Sequence, residues 1–251
     1  MSGLDVRAIS EVPTRPIQGG AGHVLLHDFF GAVDPDPDHE RSRSGPEAFL
    51  IESDAPGFHE RPHFHDIDQF QVFFGVPGAY FGRTPMSRLM FQYADAFSTY
   101  GPFGCPDPGL CFFTLRATPS SLRAYMPDER DKLVRRGRRQ RVVDLDARLD
   151  DESGPGPSLV RVLGTAASHG EPVADLGVVP AGGELEVPAP VDSQGQYCCV
   201  VDGALDVGGR RAGPRSLGWR QGAAAGDPPS VLRATPDGPA RVLVLQFPPP
   251  S

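Results

Sequence analysis

Glycine and proline constrain this chain more than any other residues: there are 30 Gly and 28 Pro in 251 residues. Proline removes a backbone donor and fixes φ, and glycine weakens the interior of helices and strands alike. Helical periodicity is scarce between them, so the chain is expected to form short strands joined by turns. Such a composition also suits disordered chains. Here 39% hydrophobic residues and 15 Phe argue for a packed core instead. The length allows one large domain or two small ones.

The net charge of -8 argues against general nucleic-acid binding. One basic run, Lys132 to Arg141, breaks the acidic trend. No aromatic residue interleaves with it for base stacking, so it reads as a solvated connector. Lys132 is the one lysine among 24 Lys and Arg residues, a bias that follows GC-rich codons and suggests a bacterial source. Cys105, Cys111, Cys198 and Cys199 form no CxxC pair and are read as reduced packing residues. The start Met-Ser-Gly-Leu-Asp-Val-Arg has no apolar signal core, and no run reaches transmembrane length. A cytoplasmic protein with no membrane partner is the expectation.

Along the chain, residues 1-20 are polar, are broken by Pro13 and Pro16, and read as an N-terminal arm. Strands are expected from His23-Phe30 onward, at 48-52, 61-65, 69-74, 80-81, 88-93 and 110-116, with a charged loop at 34-45. This first domain spans 21-128. A connector at 129-157 carries a short helix near 130-141 and a Gly/Pro linker at 150-157. A second series of strands then fills 158-251. The first half has an aromatic strand ending at Gly75, and Gln196-Asp202 ends likewise at Gly203, so the halves share the rhythm of an internal duplication.

The chemistry concentrates at Gly57-Phe-His-Glu-Arg-Pro-His63-Phe-His65-Asp-Ile-Asp-Gln69-Phe-Gln71. Residues two apart on an extended strand face the same way, so His63 and His65 form one pair and Gln69 and Gln71 another. Read as a hairpin across Asp66-Asp68, these strands aim two imidazoles and two amides into one space, a candidate metal site of His63, His65, Gln69 and Gln71. Neutral imidazoles suit Fe, Mn, Ni, Zn or Cu, whereas amide oxygens are weak ligands. The remaining histidines are His23, His27, His39, His59 and His169. None supplies a downstream ligand within the first domain, although His59 shares the parity of His63 and His23 or His27 could enter from the N-terminal strand. The competing reading is a metal-free polar interior, with Asp66 or Asp68 holding a ring N–H. Tyr93 and Tyr100 are candidate acids or hydrogen-bond donors in catalysis. Arg83, Arg88 and Arg116 are candidate carboxylate grips, each more simply read as a solvated surface residue. Asp144 and Asp146 read as solvated connector carboxylates.

The spacing Gly57, five residues, His63-Phe-His65, three residues, Gln69 resembles the first motif of the cupin superfamily. Gln69 stands where the family usually has glutamate, and Gly75 comes one residue early. The segment Asp95-Phe103 is similar to the second motif, keeping the Gly101-Pro102 turn but lacking its histidine. Asp192-Gln196 replaces the His-x-His motif in the second half. The resemblance implies an all-β fold of two tandem jelly-roll-like cupin barrels, the second with a degenerate site.

It also implies a metal-dependent enzyme acting on a small organic molecule, with oxygenase chemistry slightly favoured over isomerase or lyase chemistry. Its divalent transition metal is of unknown identity. The alternative is a non-catalytic cupin that binds a small ligand or a partner, since cupins serve many functions. Either way the expected partner is a small molecule, and the chain is expected as a homodimer or as a monomer imitating a dimer.

Overall fold

The computed structural model describes residues 3–19, 22–31, 45–53, 55–134, 139–150, 156–165 and 170–250. They form two compact units, one of Pro13–Asp151 and one of Met1–Val12 together with Glu152–Ser251. Both are built almost wholly of antiparallel strands, as the Gly- and Pro-rich sequence implies.

In the first barrel, a seven-stranded sheet runs in the order Gln140–Asp144, Met90–Ala94, Gln69–Phe74, Cys111–Arg116, Glu47–Ser53, Gly22–Phe30, Thr14–Gly19. Facing it are a four-stranded sheet built on Phe58–Glu60 and Phe103–Cys105, and a two-stranded sheet of His63–His65 with Arg123–Tyr125. Between them lies an aromatic core in which the rings of Phe73, Phe103 and Phe112 sit 5.2 to 5.5 Å apart. Such edge-on and offset contacts add to plain burial. Met90–Ala94 and Cys111–Arg116 are buried at every position. Burial on both faces is why these strands read as continuous apolar runs rather than alternating ones.

The second barrel repeats this order. Leu217–Gln221, Gly195–Asp202, Ala240–Gln246, Val173–Val179 and Ser158–Leu163 lie side by side in one sheet. The pairs Glu184–Val187 with Ser230–Arg233 and Leu205–Val207 with Arg210–Ala212 stand apart from it. Its core gathers Val187, Cys198, Val200, Leu205, Leu232 and Val244.

Several details differ from the sequence reading. The segment read as an arm contains the strands Asp5–Arg7 and Thr14–Gly19, which join different sheets. The segment read as a connector supplies Gln140–Asp144, which pairs with Met90–Ala94. The helix expected near 130-141 is only one 3₁₀ turn, Arg130–Lys132, and the chain's α-helix among the described residues is Asp146–Asp150. His63–His65 and Gln69–Phe74 are not a hairpin: the former pairs with Arg123–Tyr125 and the latter with Met90–Ala94 and Cys111–Arg116. The loop expected at 34-45 and the linker at 150-157 fall largely outside the described residues, as do His39 and His169. No helix among the described residues is long and apolar enough to cross a membrane.

Candidate functional site

Pro62 cannot donate to a ladder, and the strand starts directly after it at His63. His63 exchanges backbone hydrogen bonds with Tyr100, and Tyr125 and Arg123 flank the strand on its other edge. His63 and His65 both turn inward, 3% and 7% exposed, with ring centroids 5.4 Å apart. The period-2 geometry expected from the sequence is therefore present.

Hydrogen bonding fixes the tautomers. His63 Nδ1 lies 2.7 Å from the Arg61 carbonyl oxygen and His65 Nδ1 lies 2.8 Å from that of Leu122. A carbonyl only accepts, so both protons sit on Nδ1 and both Nε2 atoms present lone pairs. The expectation that Asp66 or Asp68 holds a ring N–H is corrected here. Asp66 accepts from Ser120, Ser121 and the Leu122 amide, and Asp68 accepts from Tyr93 and the Ala96 amide.

The two lone pairs meet donors. Tyr100 donates its hydroxyl proton to His63 Nε2 at 2.7 Å, and in turn accepts from Gln69 Nε2. Arg116 donates from its guanidinium to His65 Nε2 at 3.1 Å and to Gln69 Oε1 at 3.2 Å, and pairs with the buried Glu47 carboxylate. Gln71 Oε1 accepts from Gln92, while its amide reaches Thr114 Oγ1 at 3.4 Å. Burial, reinforced by the charges of Arg123 and Arg116, holds the pKa of His63 down at about 4, and burial with the Arg116 charge holds that of His65 well below its ordinary value. Both rings are neutral near neutral pH.

A resident metal does not fit these residues as they stand. Tyr100 and Arg116 take the imidazole lone pairs, hydrogen bonds take the amide oxygens, and a guanidinium charge stands within hydrogen-bond reach of His65 and Gln69, where a cation would have to sit. No group of three His, Cys, Asp or Glu side chains able to hold a metal occurs among the described residues. The set His63, His65, Gln69 and Gln71 therefore comes together as a hydrogen-bonded network. Arg116 is its cationic centre.

These groups border a cavity of about 210 Å³ lined by Phe58, Phe103, Phe112 and Ile51 on its apolar side. On its polar side are Glu60, His63, Tyr100, Arg116, Arg123 and Tyr125. Burial raises the Glu60 carboxyl above its usual value, against the opposing pull of Arg123, and burial also pushes the Tyr125 phenol up to about 12. Glu60, Arg123 and Tyr125 are site residues that the sequence reading missed. Glu60 lies three residues before His63 but on a separate short strand, Phe58–Glu60, so period-2 spacing gave no signal for it.

The other candidates are placed as follows. Tyr100 lines the cavity, buried and with its phenol pKa raised by burial. Tyr93 does not line it: it is fully buried, its ring packs on Phe70 at 4.9 Å, and its hydroxyl donates to Asp68. Arg116, read as a surface residue, is 6% exposed, which corrects that reading. Arg83 and Arg88 are exposed, as expected. Asp146 caps the Leu89 amide and reaches Arg88. His59 bonds Tyr80 at 2.7 Å, and His27 bonds Thr14 at 2.9 Å, so neither joins the site. All four cysteines are buried and none forms a disulfide, consistent with packing roles. In the second barrel, Gln196 donates to the Pro188 carbonyl in place of any imidazole.

No protein-family model matches the sequence, and no curated protein matches it. Solved structures do. A bacterial pirin of Escherichia coli in complex with nickel(II) aligns at TM-score 0.51 and 13% identity over 98% of this chain and 100% of the pirin. Oxalate decarboxylase from Bacillus subtilis aligns at 0.54 and 10% identity over 99% of this chain and 77% of that one. Salicylate 1,2-dioxygenase from Pseudoaminobacter salicylatoxidans, with gentisate adducts, aligns at 0.54 and 11% identity over 81% and 68%. Likeness at this identity speaks for the fold. With two repeated antiparallel barrels of matching strand order, the chain shares the cupin fold of these structures, two jelly-roll-like barrels in tandem.

Proposed function

We propose that the first barrel takes a small organic anion and moves a proton on it, without a resident metal. The observation that carries this reading is the convergence on one cavity of two neutral imidazoles, the Tyr100 hydroxyl, the Glu60 carboxyl and the guanidinium groups of Arg116 and Arg123. Two structures similar in fold are named for small carboxylates, oxalate and salicylate, which agrees with this ligand class. The cavity is smaller than pockets for drug-sized ligands, so it suits a compact molecule with an apolar side.

In this reading Arg123 grips the anionic group, with Arg116 adding positive potential from behind the network. Glu60, its pKa raised by burial, accepts or returns a proton. With substrate bound, Tyr100 turns its single hydroxyl proton from His63 Nε2 to the charge developing on the substrate. Isomerase- or lyase-type chemistry follows more directly from these groups than oxygenase chemistry, because the donor set offers proton carriers rather than open ligand positions.

The test uses untagged protein in excess chelator. A panel of small carboxylates is followed by NMR for uptake of solvent deuterium at carbon. Exchange in at least one of them, reduced about 100-fold or more by Glu60→Gln and with binding weakened by Arg123→Gln, supports the proposal. Binding without exchange in any compound points to the non-catalytic ligand-binding reading instead. Tight uptake of one divalent ion, lost when His63 and His65 are both replaced by alanine, overturns the metal-free site in favour of a metal-dependent cupin.

A further inference from the structure

The second barrel has lost the His-x-His pair, yet it holds a buried charge that the first barrel's chemistry does not explain. Arg220, on the strand Leu217–Gln221, is 3% exposed. Of its five N–H groups, one reaches Ser230 Oγ at 2.9 Å and one the Pro228 carbonyl at 2.7 Å. Its Nε is buried without a hydrogen-bond partner, and no carboxylate forms an ion pair with it among the described residues. Both acceptors are neutral, so among the described residues the guanidinium charge has no counter-ion within salt-bridge distance.

The strand register explains its direction. Arg220 stands opposite Gln196, on the face shared by Gly218 and Cys198, and Cys198 belongs to the barrel core. It therefore faces the barrel interior rather than solvent. There it lines a cavity of about 640 Å³ whose other walls include Leu4, Val6, Leu205, Val207 and Leu232. A buried charge is costly unless it is paired, and a guanidinium is shaped to meet a carboxylate through two parallel hydrogen bonds.

We propose that the second barrel is a ligand site in its own right, binding an aliphatic monocarboxylate whose head group pairs with Arg220. The apolar walls take the chain. Asp206 and Asp227 also border the cavity, while its second arginine, Arg233, is paired with Glu184, so the balance of charge disfavours anions of higher charge such as phosphate. The cavity thus selects one negative charge joined to a hydrocarbon body. This site is independent of the first barrel's reading, because the two cavities share no residue.

Trp219 is the one tryptophan in the chain and lies in this barrel, next to Arg220 in sequence. Its emission, together with calorimetry, gives a readout confined to the second site. Full-length protein is titrated with hexanoate, with 1-hexanol as the neutral match and inorganic phosphate as the multiply charged one. The expected result is saturable hexanoate binding, at least tenfold weaker for hexanol and phosphate, and weakened at least tenfold by Arg220→Gln. Val207→Trp, which fills the cavity and leaves the charge in place, should also abolish binding. If Arg220→Gln does not fold, Val207→Trp decides. Equal affinity for hexanoate and hexanol, binding unchanged in the folded variants, or no hexanoate binding by the natural chain overturns the proposal. Glu60→Gln should leave this titration unaltered, which separates its outcome from that of the first site.

Discussion

His63 shows how a single buried group ties the site to stability. Its pKa is held at about 4 in the folded chain, chiefly by burial, against an ordinary value of 6.5. Between those values the unfolded chain takes up a proton that the folded chain refuses, so acidification favours unfolding. Stability is then full above about pH 6.5 and falls as the pH drops toward 4, by about 3 kcal/mol in total at about 1.4 kcal/mol per pH unit. His65 acts in the same direction. Urea unfolding at pH 4.5 and pH 7 should show this loss in the natural chain and a smaller one in His63→Gln. The buried pair of Arg116 and Glu47 makes a second prediction. Arg116→Met strands the Glu47 charge and should cost about 3–5 kcal/mol, whereas Arg116→Met with Glu47→Gln should recover much of it; a surface arginine would cost little in either variant. The inward pairing of the histidines was legible from their spacing alone. The depth of Arg116 was not, because a charged residue ending an apolar strand has two readings, and only the shared parity of Phe112, Thr114 and Arg116 hinted at the inward one.

Strands of five or more residues were largely legible, with Gln69–Phe74 beginning and ending where its aromatic run does. The short pieces that shape the site, Phe58–Glu60, Phe103–Cys105 and Arg123–Tyr125, were not. Three residues carry too little periodicity to mark a strand, and their partners lie far along the chain, so pairing rather than local preference fixes them. That is also why the expected hairpin failed: the turn residues Asp66-Ile-Asp68 suit a reversal, but each flanking strand finds a better partner elsewhere. The glycines closing the two central strands were read by rhythm, and the structure gives the reason. A Cβ on Gly75 would stand 2.0 Å from the Ser87 carbonyl oxygen, and one on Gly203 would stand 2.1 Å from that of Pro239, where φ is also +69°. Neither carbonyl is a flexible side-chain end that can move aside. Gly75→Ala and Gly203→Ala should each cost on the order of 3 kcal/mol, measured as a lowered midpoint in urea. Alanine at the open Gly213, where nothing lies within 4 Å, serves as the control.

At the scale of the molecule, the order of units along the chain is not simply first half and second half. Met1–Val12 belongs with Glu152–Ser251, and Asp5–Arg7 pairs with Leu217–Gln221 as the outermost strand of that sheet. Ala8 joins the buried core of the same barrel, with Leu4 and Val6 packed against it. The first barrel has a matching device, since Gln140–Asp144 caps the edge at Met90–Ala94. Each sheet thus covers an edge that would otherwise expose unpaired backbone groups. Sequence rhythm revealed the duplication but not this arrangement, because a three-residue polar strand such as Asp5–Arg7 looks like any solvated arm. A charge placed in that contact should act on one barrel and spare the other. Val6→Lys adds a further positive charge to the cavity that Arg220 already lines and loosens the edge strand, for a cost of about 2 kcal/mol. In the full-length chain, amide exchange of Leu217–Gln221 and Gly195–Asp202 should accelerate in step with that loss, while protection of Gln69–Phe74 and Cys111–Arg116 stays as in the natural chain. Acceleration in both barrels together would mean that they unfold as a single cooperative unit, and that the segment Met1–Val12 stabilises the whole chain rather than the barrel whose sheet it completes.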